Sequence, residues 1–592
     1  MILQALNDYY LRRQRSPERK DRLPAFGLED KEISIIIEID ATGHLIQLHD
    51  TCTFKGKKKI ARSYLVPQGI KKTSGIAANL FWDTAEYVLG VDTKGKPERV
   101  AEQYAAFRAR LAGLPEEALN DAGTRAILAF YNSFDILKLE KQAAWPDILL
   151  TNPVMTFRLQ GDDDLICQRP AIVAATALIT DDADVNGICL VSGKAATIER
   201  LHPAIKGVWN AQPSGANIVS FNKDSFNSYG KAQGANAPLG KPAVFAYTTA
   251  LNHLLSRDSS QRIQVGDSST VFWAEEEHDL ETALPDLFGE PRKDEPDRGT
   301  SAVRNLYQFV ESGKFMKGDT DTRFHVLGLA PNIARIAIRF WETASAYELA
   351  KRIARHFDDM RIVRAPYDPE HLSLFRLLTS LAVQGKAENI PANLGGEVMR
   401  SILEGLPYPA TLLNLAVQRC RAEQKPTYAR VALIKASLNR IIQRANLTVK
   451  SPEKEFQIML DPSNINSGYL LGRLFATLES VQNKVSPDLN STICDRYYSA
   501  ASSTPIAVFT TLLRLNQHHM DKLSKDKTNK KNYGFYVNKD KLICEIMNGL
   551  DDFPRILSLP NQGRFALGYY HQRQSFFTKT DTPSGNNQEE SK

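Results

Sequence analysis

The chain has 592 residues, is 43% hydrophobic and 24% charged, and sets 74 Lys and Arg against 68 Asp and Glu for a formal net charge of +6. That length predicts several domains, and the composition excludes collagenous, wholly disordered and disulfide-stapled classes. So mild a positive charge admits a nucleic-acid partner without demanding one, because a binding footprint depends on where the charge sits.

The cysteines (Cys52, Cys167, Cys189, Cys420, Cys494 and Cys544) are far apart and form no C-x-x-C pair. Neither a zinc site nor a disulfide framework is expected, and reduced thiols in a cytoplasmic protein are the simplest account. The first fifteen residues read as an amphipathic helix with Ile2, Leu3, Leu6, Tyr9 and Tyr10 on one side, rather than as a signal peptide. No run approaches the length of a membrane span.

Residues 31–40 and 44–50 are β-rich and joined by a glycine turn, so a hairpin is expected. The segment 55–67 carries Lys55, Lys57, Lys58, Lys59 and Arg62. It leads into a loop, 68–83, in which Gly69 and Gly75 flank Lys71, Lys72, Thr73 and Ser74, ahead of Asn79, Phe81 and Trp82. A charge run is most often a solvated face. Here backbone N–H groups, hydroxyls and ammonium groups occur together, which is what phosphates use. Helices are expected over 97–114, where Pro97 opens the first turn, and over 115–142.

Residues 155–168 read as a hairpin around 161–164. Its acidic run, Asp162, Asp163 and Asp164, fits solvated turn residues better than a metal site. The Ser192-Gly193-Lys194 triplet fails the phosphate-loop pattern, since its spacing from Gly187 is one residue too long and Ala195 replaces the required hydroxyl.

The stretch 205–231 organises the reading. It is rich in Gly, Ser and Asn, yet holds Trp209, Phe221, Phe226 and Tyr229. Loops of this length are uncommon in compact domains and are often functional. Asn210, Gln212, Ser214, Asn217, Ser220, Asn222, Lys223, Asn227 and Lys231 offer short donors, acceptors and point charges, suited to a phosphate backbone and to base edges. A surface loop merely pinned by its aromatics is the competing reading.

Residues 241–257 are helical in pattern, with His253 expected to be a partnered polar group. Residues 262–274 read as two strands around a Gly-Asp turn, and 275–299 as an exposed acidic excursion. A helix over 301–312, strands over 322–330 and 335–342 with a turn at Pro331 and Asn332, and a helix over 345–360 make an α+β layer. Beyond about 370 only helical patterns remain. His518, His519 and Asp521 do not make a metal motif, because adjacent helical side chains diverge. The tail from 578 onward is expected to be disordered. The fold class is therefore α+β: an N-terminal mixed α/β body with antiparallel sheets, then an all-α C-terminal helical bundle. Expected domains are 1–370, a helical connection 371–458, a bundle 459–580 and a tail 581–592. The H-E-x-x-H, G-x-S-x-G and dinucleotide G-x-G-x-x-G motifs and a Walker lysine are missing, which argues against an enzyme.

Several segments together carry a resemblance: MILQALNDYY at the start, 56–92, 201–238, FAYTTALNHLL, VFWA, FHVLGLAPNIARIAIRFW (324–341) and GYLLGRLFATLESVQ. The chain resembles the large subunit of the type I-C CRISPR surveillance complex, Cascade, over essentially its whole length. One departure is Trp209–Asn210, where smaller, glycine-like residues are expected. The resemblance implies a cofactor-free, non-catalytic subunit that reads the protospacer-adjacent motif (PAM) of double-stranded target DNA and promotes strand opening and R-loop formation. It implies as partners the crRNA, the Cascade backbone subunits, the subunit gripping the crRNA handle and the helicase-nuclease it recruits. It also implies small subunits made from the C-terminal part of the same gene, with Met459 the natural internal start.

On that basis loops 205–231 and 68–82 divide motif reading and handle docking between them, in an order the residues leave open; Ser214, Asn217, Asn222, Lys223, Asn227 and Lys231 are expected at the PAM. Lys57, Lys58, Lys59, Arg62, Lys71, Lys72, Thr73, Ser74 and Asn79 are expected on nucleic-acid backbone or the crRNA handle. Arg473, Lys484, Arg514, Lys522 and Lys525 are expected on displaced single strand. A nuclease and a pure scaffold remain the alternatives.

Overall fold

The computed structural model describes residues 1–577 apart from 19–20, 56–57, 71–74, 134, 178–184, 291–294, 296, 315–317, 449–452 and 526–529. The expected tail 581–592 lies outside the described residues, as do Lys57, Lys71, Lys72, Thr73 and Ser74. The chain forms two compact units. The first is Met1–Ala204 with Val219–His253, and the second is Ile205–Ile218 with Leu254–Lys592.

In the first unit the strands are β1 (Leu28–Ile33), β2 (Ile35–Ile39), β3 (Leu45–Asp50), β4 (Thr53–Lys55), β5 (Lys58–Ile60), β6 (Arg62–Pro67), β7 (Trp82–Thr84), β8 (Val154–Leu159), β9 (Val185–Ile188) and β10 (Ala195–Ile198). A four-stranded sheet runs β3-β2-β8-β7, and β1-β6, β4-β5 and β9-β10 are separate pairs. The β2–β3 hairpin forms as expected. β2 pairs in parallel with β8, and Ile35, Ile36, Ile37 and Ile39 are all buried, as suits a strand covered on both faces. The hairpin expected over 155–168 does not form. After β8 the chain makes a 3₁₀ turn, Ile166–Gln168, and Asp162 pairs with Arg169 at 2.6 Å. The Ser192-Gly193-Lys194 triplet is the turn of the β9–β10 hairpin, closed by Cys189 N–H on the Lys194 carbonyl at 2.9 Å. His253 lies with its ring 6.3 Å from that of Tyr9, and burial pushes its pKa down to about 4.

In the second unit β11 (Arg262–Val265), β12 (Ser268–Ala274), β13 (Arg323–Asn332) and β14 (Arg335–Ser345) form one antiparallel sheet in chain order. Asn332 faces Arg335, so the β13–β14 turn consists of Ile333 and Ala334, two residues beyond the expected position. The supposed excursion 275–299 contains a helix, Leu280–Phe288, whose Leu280, Leu284, Leu287 and Phe288 are buried. Their helical spacing outweighs the surrounding acidity. One hydrophobic cluster continues from Phe272, Phe324 and Phe340 of the sheet through the helices Ala346–Met360 and Tyr428–Asn446 to Phe475 and Phe565. The expected boundaries at 370 and 458 fall inside this unit, and its core is continuous across them.

The C-terminal helices are Ser467–Val485, Ile493–Ala501, Ile506–Lys525, Lys530–Asn548 and Leu559–Ser575. The α+β class with an all-helical C-terminal part thus holds. No helix among the described residues is long and apolar enough to cross a membrane.

Candidate nucleic-acid interface

The stretch 205–231 is shared between the units. Residues 205–218 belong to the second and 219–231 to the first, so Ser214 and Asn217 sit on one and Asn222, Lys223, Asn227 and Lys231 on the other.

Residues 205–218 form a loop closed at its base. Ile205 N–H donates to the Ala216 carbonyl at 2.8 Å, and Ala216 N–H to the Ile205 carbonyl at 2.9 Å. Gly207 has φ +87°, and a Cβ there would stand 2.6 Å from the Leu255 carbonyl oxygen, so only glycine fits. Trp209 N–H donates to Ser269 Oγ at 2.9 Å, which leaves its indole half exposed. Asn210 adopts φ +57°, a conformation glycine tolerates best, in keeping with the small residue expected at this point. Asn217 joins the sheet edge: Ile336 N–H donates to its carbonyl at 3.0 Å, and it bridges in parallel to Arg335. Ser214 is exposed and Asn217 half-buried. The loop is therefore a strand-edge extension that holds its polar residues in a fixed register.

Beside Asn217 lies a residue the sequence reading did not single out. Ile333, in the β13–β14 turn, has φ +55° and is 87% exposed. A β-branched residue in this region is a strained outlier, and such strain clusters at functional sites. The two-residue spacing between the flanking strands was the available signal.

In the first unit, residues 219–240 are pinned by Asn236. Its amide Nδ2 donates to Asn227 Oδ1 at 3.2 Å and to the carbonyls of Lys231 and Gln233, both at 3.0 Å, while its Oδ1 accepts from Ser228 N–H at 2.9 Å. This fixes a 228–231 turn whose tip, Tyr229, is 96% exposed at φ +51°. Asn222, Lys223, Asn227 and Lys231 are exposed. Among the described residues, neither Lys223 nor Lys231 is within ion-pair distance of a carboxylate. Asn236 is a positioning residue that sequence reading missed, since nothing local distinguishes it from its neighbours.

The basic segment divides by role. Lys59 is held between Asp147 Oδ2 at 2.7 Å and Asp50 Oδ2 at 2.9 Å, which raise its ammonium pKa and neutralise much of its field. Directly across the β4–β5 pair, Phe54 is exposed. Arg62 is exposed, with its guanidinium 5.3 Å from the centre of the Tyr64 ring. Only the backbone of Lys58 is described, as the first residue of β5.

Asn79 is corrected from a contact residue to a structural one. It is buried, its Oδ1 accepts from Ile70 N–H at 2.9 Å, and its own N–H donates to Asp83 Oδ2 at 2.8 Å. It clamps the neck of loop 68–83 from inside. Trp82 helps, donating from Nε1 to the Pro67 carbonyl at 2.7 Å.

Arg473 is corrected likewise. It is 2% exposed and donates to Gln572 Oε1 at 3.0 Å, to the Pro462 carbonyl at 3.3 Å and to Glu545 at 3.2 Å. Its charge is spent inside the bundle, with no face left for a strand. Lys484, Arg514, Lys522 and Lys525 are exposed, the last three on the solvent side of the helix Ile506–Lys525.

Each unit by itself supplies anchored polar loops and exposed aromatics, together with cations that, among the described residues, have no carboxylate within ion-pair distance. Such groups suit electrostatic and stacking contacts with nucleic acid. A family model described as CRISPR-associated protein Cas_Csd1 matches residues 6–577. No curated protein matches the chain. The match covers the sheets, the connecting helices and the bundle alike, and on it the chain belongs to the Cas_Csd1 family of CRISPR-associated proteins, the large subunit of type I-C Cascade.

Proposed function

We propose that this subunit reads a short PAM in duplex DNA with residues 205–231, promotes opening of the adjacent strands, and leaves bond cleavage to a recruited helicase-nuclease. Guide pairing supplies most of the sequence information in such complexes, so the protein needs only a short motif reader and tracks for backbone. The observation that carries the reading is the anchoring of loop 205–218. Asn217 is built into the sheet edge, and Trp209 is held by its backbone, so Ser214 and the indole project from a loop anchored on both sides of them. Such anchoring matters because short polar side chains discriminate bases only when their positions are fixed.

Ile333 supports the opening step, since an apolar side chain held out on a strained turn is suited to unstacking a base step. Arg62, Lys71 and Lys72 are assigned to nucleic-acid backbone or the crRNA handle. The helices from Ser467 onward are assigned to displaced strand. Met459 is exposed in the non-helical segment ahead of the helix Ser467–Val485, which suits an internal start for a separately made small subunit.

The test uses the assembled complex and duplexes that differ only at the PAM. Replacing Asn217, Asn222 and Lys223 with Ala is expected to abolish most of the discrimination while the complex stays intact. Unchanged discrimination overturns the assignment.

A further inference from the structure

A small hydrophobic cluster at one end of the bundle brings three helix ends together. Val481, Met520 and Leu523 are buried there, and Val485, Phe535 and Tyr536 pack against them. The helices Ser467–Val485 and Ile506–Lys525 therefore finish next to the place where Lys530–Asn548 begins. Tyr536 is held on the cluster, and the ring of Tyr533 lies against it, 5.9 Å between centroids and tilted by 37°. Tyr533 is 41% exposed. Lys484, Lys522, Lys525 and Lys530 are exposed around the same helix ends, and among the described residues none is paired with a carboxylate. The nearby Asp521 accepts a hydrogen bond from Gln517 Nε2 at 3.0 Å. Lys539, further along the helix, is spent differently: it is buried with Nζ 3.0 Å from the centre of the Phe576 ring.

We propose that Tyr533, backed by Tyr536, is a stacking platform for a base of single-stranded nucleic acid, with Lys484, Lys522, Lys525 and Lys530 holding the flanking phosphates. The inference rests on the reading that the bundle holds displaced strand, and it adds a base-contacting residue to a site otherwise described only by charge. A ring already braced by a neighbour loses little freedom on binding, and every base offers a face to stack, so the site is tolerant of sequence. Lysines at the ends of three different helices lie around the hydrophobic cluster that carries this ring pair. A tyrosine that only covers apolar surface requires no such gathering of charge.

The test is titration of the full chain with oligothymidine of about 15 nucleotides and with an abasic strand of equal length. Tyr533→Ala is expected to weaken oligothymidine binding about 5- to 150-fold and to leave the abasic strand unaffected. Tyr533→Phe keeps the ring and is expected to match the parent. Lys522→Ala and Lys525→Ala are each expected to lower the slope of log affinity against log salt by about 0.7 for both strands. Equal affinity of the parent for the two strands, or an equal loss for both in Tyr533→Ala with thermal stability intact, overturns the platform and leaves the cationic track standing. Salt-independent binding with silent lysine variants, or no strand binding at all, overturns both.

Discussion

Gly472 and Gly568 of the bundle and Gly230 of a loop do opposite work. Where the helices Ser467–Val485 and Leu559–Ser575 cross, a Cβ on Gly472 would run into the Phe565 carbonyl, and one on Gly568 into the Tyr469 carbonyl. These glycines delete side chains so that two backbones can touch, which brings Phe475 within 5.7 Å of Phe565, centroid to centroid. In the loop 219–240, Gly230 has open space around its Cβ position and supplies only a backbone of φ +69°. A glycine in a sequence is thus compatible with the tightest packing in the molecule or with none. The cations repeat the contrast, with Arg473 buried in a hydrogen-bonded network and Lys484 exposed at the C-terminal end of the same helix.

The sharpest way to break this comparison is substitution at the crossing. Gly472→Leu or Gly568→Val is expected to cost about 3 kcal/mol or more, through overpacking against backbone that cannot move aside. Gly230→Ala is expected to cost only about 1 kcal/mol, for the left-handed conformation alone. Urea denaturation compares them, and a crossing variant as stable as Gly230→Ala would refute the packing account. Next in size, Arg473→Ala is expected to lose about 2 kcal/mol, from unpaired buried acceptors and lost packing, with no change in the salt slope of nucleic-acid binding. Lys484→Ala is expected to do the reverse, sparing thermal stability while lowering that slope.

Acid comes third. Burial holds the pKa of His202, His253, His278 and His325 down at about 4 and that of His356 and His571 at about 3. The unfolded chain binds protons there that the native one refuses. Stability is therefore expected to be full above about pH 6.5 and to fall as pH drops through 4, each histidine contributing at most about 1.4 kcal/mol per pH unit. Denaturant midpoints against pH measure this, and His356→Gln, which retains a hydrogen-bonding group for Tyr408 but does not titrate, is expected to flatten the slope.

The smallest effect is on the alkaline side. Burial lowers Lys539 to about 8, so the native state releases its proton before the unfolded state does, and stability is expected to rise from about pH 8 towards the ordinary lysine range near 10.4. Lys539→Met is expected to be flat over that interval.

Much of the fold was legible. The β2–β3 and β11–β12 hairpins and the helix Ala346–Met360 follow from alternation, turn residues and helical periodicity. The misreadings have local causes. Acidity masked the apolar stripe of Leu280–Phe288, and the proline before the β13–β14 turn drew attention away from Ile333. The hairpin expected over 155–168 failed because β8 finds its partner in β2, more than a hundred residues earlier in the chain.

The candidate site was legible as a composition but not as a geometry. A run of Gly, Asn, Ser and aromatics marked 205–231, yet its division between two compact units is written nowhere in that run. The sequence alone determined the kind of the strongly periodic elements, because periodicity and turn chemistry act among near neighbours. Only the tertiary structure decided which polar side chains are spent inside and which face solvent. Asn79 is used up at a loop neck, and Arg473 is occupied by Gln572 and Glu545, 99 and 72 residues away. Burial is set by partners distant along the chain, and no local pattern records them.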